Sequence, residues 1–131
     1  MSKIDMKKTI EGFDVESILN LLCGAWEGGS NYWIESVDYK QFDLTTNKKH
    51  DPYFPKYQLA PFRDGEELKV HVRDGLTTEK HVLNLDKIKQ AIVLLREDHT
   101  RHYDDWCREN DDAATADVFL QLCLFKEVVF G

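Results

Sequence analysis

Residues Asp14 to Tyr39 read DVESILNLLCGAWEGGSNYWIESVDY, and this stretch decides the fold class. An apolar-striped segment runs into a glycine pair and leaves as an aromatic alternation. Asp14 is placed to cap a helix, because its carboxylate can accept a hydrogen bond from a free amide of the first turn. Val15, Ile18, Leu22 and Ala25 follow at helical spacing, and Leu19 and Trp26 widen the stripe. Gly28 and Gly29 end the helix, since glycine accepts the left-handed conformation of a C-terminal cap. Tyr32, Ile34 and Ser36 then alternate with Trp33, Glu35 and Val37, as a strand requires. The glycines between Trp26 and Trp33 read as a helix-to-strand corner rather than an opening for a ligand, because glycine pairs are turns far more often than sites.

Working outward, Ile4, Met6 and Ile10 recur at even spacing in Lys3 to Ile10, which fits an edge strand. Lys40 to Lys56 carries Pro52, Pro55 and two lysines, and reads as a long surface loop anchored by Phe42, Tyr53 and Phe54. Asp64-Gly65 and Asp74-Gly75 punctuate three short runs, Tyr57 to Phe62, Glu66 to Val72 and Thr77 to about Asn84. Asp-Gly between apolar alternations is a hairpin signal, so the spacing predicts a three-stranded meander, with Pro61 placing its first strand at an edge. Asp86 is the expected cap of a second helix with a buried stripe of Ile88, Ala91, Ile92 and Leu95, followed by a short helical segment around Tyr103 to Cys107. Asp111 or Asp112 starts a third helix through Ala116, Phe119, Leu120 and Cys123, and Lys126 to Phe130 closes the chain as a short strand or packed tail. The expected fold is α+β: a small, mostly antiparallel sheet of about four or five strands with two or three helices packed on one face. Its core should include Ile18, Leu22, Trp26, Ile34, Val70, Leu83, Ile92, Leu95, Phe119 and Leu122.

A chain of 131 residues is expected to form a single domain. Its formal charge of −7 argues against general affinity for nucleic acid or an anionic membrane. MSKIDMKK at the N-terminus lacks the apolar core of a signal peptide, and no apolar run approaches a membrane span. Cys23, Cys107 and Cys123 are odd in number and share no motif spacing, which fits buried, reduced thiols in a cytosol better than disulfides.

Two segments, Gly24 to Trp33 (GAWEGGSNYW) and Asp112 to Gly131 (DAATADVFLQLCLFKEVVFG), resemble segments of small uncharacterised proteins encoded by bacteriophages and prophages. The resemblance implies expression inside a bacterial cell during infection or lysogeny. It carries no catalytic or binding residue across.

Chemical motifs are sparse. His99, His102 and Cys107 are scattered among polar residues with Arg101 and Arg108, unlike a paired metal-ligand motif, so no metal and no cofactor are expected. No serine sits in a GxSxG elbow, and EGGS follows a helix where a phosphate loop would precede one. Glu97 to Asp117 holds eight acids against two arginines, a net −6 and nearly the whole charge of the chain. A solvated surface is the default for such a run. Within it, Asp104, Asp105, Glu109, Asp111 and Asp112 are the candidate residues for a basic partner steered by charge. The function expected is a non-enzymatic accessory phage or prophage protein that binds and modulates or inhibits a host macromolecule, with a host protein as the expected partner and counter-defence as one such role. The alternatives are a nucleotide- or phosphate-binding protein and an enzyme whose site is assembled from distant residues. A homodimer is compatible with the aromatic content.

The hairpin gathers positive charge against the overall sign. A two-residue turn at Asp74-Gly75 sets Arg73 opposite Leu76, His71 opposite Thr78 and Lys69 opposite Lys80. Alternation then puts Lys69, His71, Arg73, Thr78 and Lys80 on one face and Leu68, Val70, Val72 and Leu83 on the other. Lys69, His71, Arg73 and Lys80 are the candidate residues for a phosphate or nucleotide, with Arg73 as bidentate donor. A wet outer face guarded by charge is the plainer reading.

Overall fold

The structure, a computed structural model, describes residues 4–38, 56–63 and 65–131. The expected loop at 40–55 and the turn residue Asp64 lie outside the described residues. The fold is α+β; among the described residues, five strands are divided between a two-stranded and a three-stranded antiparallel sheet. β1 (Thr9–Ile10) and β2 (Phe13–Asp14) form a hairpin. Its two turn residues, Glu11 and Gly12, both have positive φ, 52° and 92°. The expected edge strand at Lys3 to Ile10 is thus reduced to two paired residues.

α1 (Val15–Gly24) begins where expected: the Ser17 amide donates to Asp14 Oδ1 at 2.8 Å. The helix passes into a π turn, Ala25–Gly29, and the Ser30 amide closes it on the Ala25 carbonyl at 3.1 Å. β3 (Ile34–Asp38) follows, pairing with β4 (Leu68–Asp74), which pairs with β5 (Thr77–Leu83), in the order β3-β4-β5. Glu35 is the extra residue of a bulge, since Ile34 faces Val72 while Ser36 faces His71.

The run from Tyr57 to Phe62 is not the first strand of the meander. It forms a short helix α2 (Lys56–Leu59) and a 3₁₀ turn, Ala60–Phe62. Gln58, Leu59, Ala60 and Pro61 are buried consecutively, which no half-buried strand allows, and Pro61 has no amide for a ladder. β3 takes the place beside β4 that this run was expected to fill.

α3 (Leu85–Asp98) buries Ile88, Ala91, Ile92 and Leu95 as expected, but its cap is Asn84 and not Asp86. Asn84 Oδ1 accepts from the Lys87 amide at 3.1 Å, and Asp86 is already in the first turn. Asn84→Ala should therefore lower stability by about 1 kcal/mol, and Asp86→Ala by a few tenths only. Urea unfolding midpoints of the two variants check this; equal losses would contradict the assignment.

α4 (Thr100–Cys107) leads to α5 (Ala113–Phe125), capped by Asp112 through the Thr115 amide at 3.0 Å. α5 is buried on nearly every side and packs against α1, the π turn, α3, α4 and β5. An apolar helix buried all round is a central one. The glycine corner lets it come close. A Cβ on Gly29 would lie 2.5 Å from the Ala113 carbonyl oxygen, and one on Gly24 would lie 3.0 Å from the Ala116 methyl. Of the expected core, Ile18, Leu22, Val70, Leu83, Ile92, Leu95, Phe119 and Leu122 are buried, while Trp26 and Ile34 are half-buried against it.

Candidate functional site

A groove of about 650 Å³ opens between β2, the first turns of α1, and α4 with the turn that follows it. Its position follows from the fold. The β1–β2 hairpin delivers Phe13 to α4, where it stacks on Trp106 with centroids 3.6 Å apart and rings parallel to within 1°. Tyr103, one turn earlier, meets Phe13 edge-on at 5.7 Å. Trp106 Nε1 donates to Ser17 Oγ at 3.2 Å, which ties α4 to the start of α1. Phe13, Tyr103 and Trp106 thus form an aromatic wall.

Among the described residues, four carboxylates line the same groove, Asp14, Glu16, Glu109 and Asp111, and no lysine, arginine or histidine does. Asp14 is engaged as the cap of α1. Among the described residues, Glu16, Glu109 and Asp111 have no ion-pair or hydrogen-bond partner for their side chains. Glu109 is held by the end of α4. Its amide donates to the Trp106 carbonyl and the Asn110 amide to the Asp105 carbonyl, the double closure of a Schellman turn. That turn puts Glu109 at φ 58°, a position glycine usually fills.

The acidic residues singled out from sequence therefore separate. Glu109 and Asp111 join the groove, with Asp14 and Glu16 from the other end of the chain. Asp104 is exposed and Asp105 half-buried on α4, neither lining the groove. Asp112 caps α5, and the Thr115 amide bonded to it holds its carboxyl below the usual range. Asp117, counted in sequence with the solvated acids, is buried.

Asp117 belongs to a polar joint that sequence reading missed. Its Oδ1 accepts from Ser30 Oγ at 2.8 Å and Trp33 Nε1 at 2.7 Å, and its Oδ2 from the Tyr32 hydroxyl at 2.6 Å. One turn on, Gln121 Oε1 accepts from the amides of Val129 and Phe130, both at 2.8 Å, and its Nε2 donates to the Phe130 carbonyl. Trp33 stacks on Phe130 at 5.4 Å. The glycine corner, α5 and the C-terminal tail are therefore one hydrogen-bonded unit. Ser30 is fully buried, so its hydroxyl is closed off from a substrate. The signal was present: two polar residues one turn apart inside an otherwise apolar helix must find partners.

The outer face of the larger sheet carries Lys69, His71, Arg73, Thr78 and Lys80, as alternation requires, but the register differs by two residues. Asp74 pairs with Thr77, Arg73 with Thr78, His71 with Lys80 and Lys69 with Val82. The turn residues are Gly75, at φ 62°, and Leu76, and Thr77 Oγ1 donates to the Asp74 carbonyl at 2.9 Å. The two-residue shift keeps every side chain on its face. Glu35, thrown outward by the bulge, accepts from Thr78 Oγ1 at 2.6 Å, so a carboxylate stands on this face among the cations.

The thiols divide by depth. Burial, and then the Glu27 carboxylate, push Cys23 up to about 11. Burial raises Cys123 as well, whereas Cys107 is exposed at the groove and not buried as expected. His102 Nδ1 lies 2.8 Å from Thr115 Oγ1, and among the described residues no three His, Cys, Asp or Glu side chains converge as a metal site would need. No described helix is long and apolar enough to cross a membrane. Comparisons with protein-family models, curated proteins and solved structures find no match to this chain.

Proposed function

We propose that this chain is a non-catalytic binding protein that docks a basic protein of its host through the acidic groove. The observation that carries the reading is the lining of that groove: a capping carboxylate and three others that have no ion-pair or hydrogen-bond partner among the described residues stand beside an aromatic wall, and no described cation lines it with them. Such a surface steers and holds positive charge. Asp104 and Asp105 extend the negative field along α4, and the two segments that resemble phage and prophage proteins support an accessory role inside a bacterial cell. The sheet's outer face is the weaker candidate, because Glu35 would repel the phosphate that Arg73 and Lys80 attract.

The test is co-purification from bacterial lysate with the full chain and with the Glu16→Gln/Glu109→Gln variant as baits. A stoichiometric basic partner should bind the parent, bind less at raised salt, and be lost from the variant. A partner held equally by both baits, or none at all, counts against the reading. Glu109→Gly adds a second signature. Glycine relieves the left-handed position, so this variant should be about 1 kcal/mol more stable while binding more weakly. A Glu109→Gly protein that gains stability and keeps full binding would remove Glu109 from the docking surface.

A further inference from the structure

We infer that the groove receives an arginine side chain of an extended segment of the partner, an inference that rests on the docking reading above. Three features select that side chain. The first is size: a groove of about 650 Å³ has room for a whole arginine side chain together with its neighbours in an extended segment. The second is the aromatic wall, where half-buried Phe13 and Tyr103 present ring surface to the groove and buried Trp106 backs Phe13 from behind. A guanidinium is planar and weakly hydrated and stacks on aromatic surface, whereas a lysine ammonium holds its water. The third is the spread of the free carboxylates. Glu16 comes from the first turn of α1, and Glu109 and Asp111 from the turn after α4, so acids flank the wall from two elements. A guanidinium lying against the wall can direct its five donors toward more than one of them, which a single point charge cannot do.

Cys107 supplies the readout, because it is exposed at the groove while Cys123 is buried and Cys23 is half-buried with a raised pKa. The probe is an octapeptide carrying two arginines between glycine and serine residues. Matched peptides carry lysine or citrulline at the same positions, and the full chain is labelled with a neutral thiol reagent. The arginine peptide should slow modification of Cys107 saturably. The lysine peptide should need several-fold to roughly tenfold more for the same protection, since it lacks the stacking and the fork. Citrulline, neutral but of the same shape, should protect little. Glu16→Gln/Glu109→Gln should weaken the arginine peptide roughly tenfold, from the loss of two charge-assisted bonds. Glu97→Gln/Asp98→Asn makes the same change in charge at the end of α3 and should leave binding unchanged.

Four results overturn the inference: equal protection by the lysine peptide, equal protection by citrulline, equal weakening in the two double variants, or no protection by the arginine peptide at millimolar concentration. If any of these occurs while a host partner is still captured by the parent and lost from the groove variant, the arginine inference falls and the docking reading stands. If neither peptide nor partner binds, both fall.

Discussion

Asp117→Ala should lower the unfolding free energy by about 3–4 kcal/mol, because it strands two buried donors, on Ser30 and Trp33, and also breaks the bond from the exposed Tyr32. Ser30 and Trp33 are fully buried or nearly so, and both point at the same carboxylate oxygen. Without it, each keeps a polar hydrogen in a site water does not reach, at a cost of about 1–3 kcal/mol per group. Removing the carboxylate also removes its own desolvation cost, which is why the net loss is smaller than the sum of three broken bonds. For a chain of this length the melting temperature should fall by on the order of 10–15 °C. Asp117→Asn separates geometry from charge. Its amide oxygen can still accept from Ser30 and Trp33, and its NH₂ can donate to the Tyr32 oxygen, so the loss should be about 1–2 kcal/mol.

Tyr32 reports the same joint in alkali. Burial, and then the bond to the Asp117 carboxylate, raise its phenol from 10.0 to about 12. A raised pKa means that the folded state holds the proton after the unfolded chain has released it. The contribution is therefore complete below pH 10 and is lost as pH climbs to about 12. Titration followed by tyrosinate absorbance should show a component with its midpoint at about 12, and that midpoint should drop in Asp117→Asn. An Asp117→Ala protein within about 0.5 kcal/mol of the parent, well inside the range of an ordinary surface change, would show that the joint does not hold the fold.

The contrast between Asp14 and Asp117 shows what sequence can carry. Asp14 stands directly before an apolar stripe, so its capping role is local and was legible. Asp117 sits one helix turn from Gln121 in a run whose other members are nearly all apolar, and the run was read for a single stripe. An apolar pattern with no polar face means a helix enclosed on every side. Its polar members, Asp117 and Gln121 among them, then have to be bonded inside, though which donors reach Asp117 depends on contacts more than 80 residues apart. The hairpin shows a different limit. Alternation fixed the faces of Lys69 and Val70, but Asp74-Gly75 and Gly75-Leu76 turns satisfy the same alternation, and only backbone geometry separates them. The groove was half legible. Glu109 and Asp111 could be picked out as acids, but nothing local brings Phe13 and Glu16 to face them. That meeting is made by the stacking of Phe13 on Trp106.

Gly29→Ala should cost about 2–4 kcal/mol, because the new methyl would have to occupy space held by backbone. The Ala113 carbonyl oxygen would be 2.5 Å from it and the Gly24 carbonyl oxygen 3.2 Å, and neither can turn aside as a side chain can. The start of α5 would have to lift away from the π turn. Gly24→Ala is the matched control on the same interface. Its methyl would meet only the Ala116 methyl at 3.0 Å, a contact a few tenths of an ångström of movement can relieve. Alanine's better helix propensity, worth about 1 kcal/mol, offsets much of that strain, so the net change should stay below about 1 kcal/mol. Urea midpoints at unchanged m-value distinguish the two. Lifting α5 at Ala113 also draws Asp117, one turn further along, away from Ser30 and Trp33. The clash and the polar joint therefore act on one packed contact, and Gly29→Ala/Asp117→Ala should fall short of the sum of its parts by about 1 kcal/mol or more. Full additivity would mean that the glycine corner and the buried carboxylate stabilise the fold independently, and the close approach at Gly29 would then not be what seats Asp117.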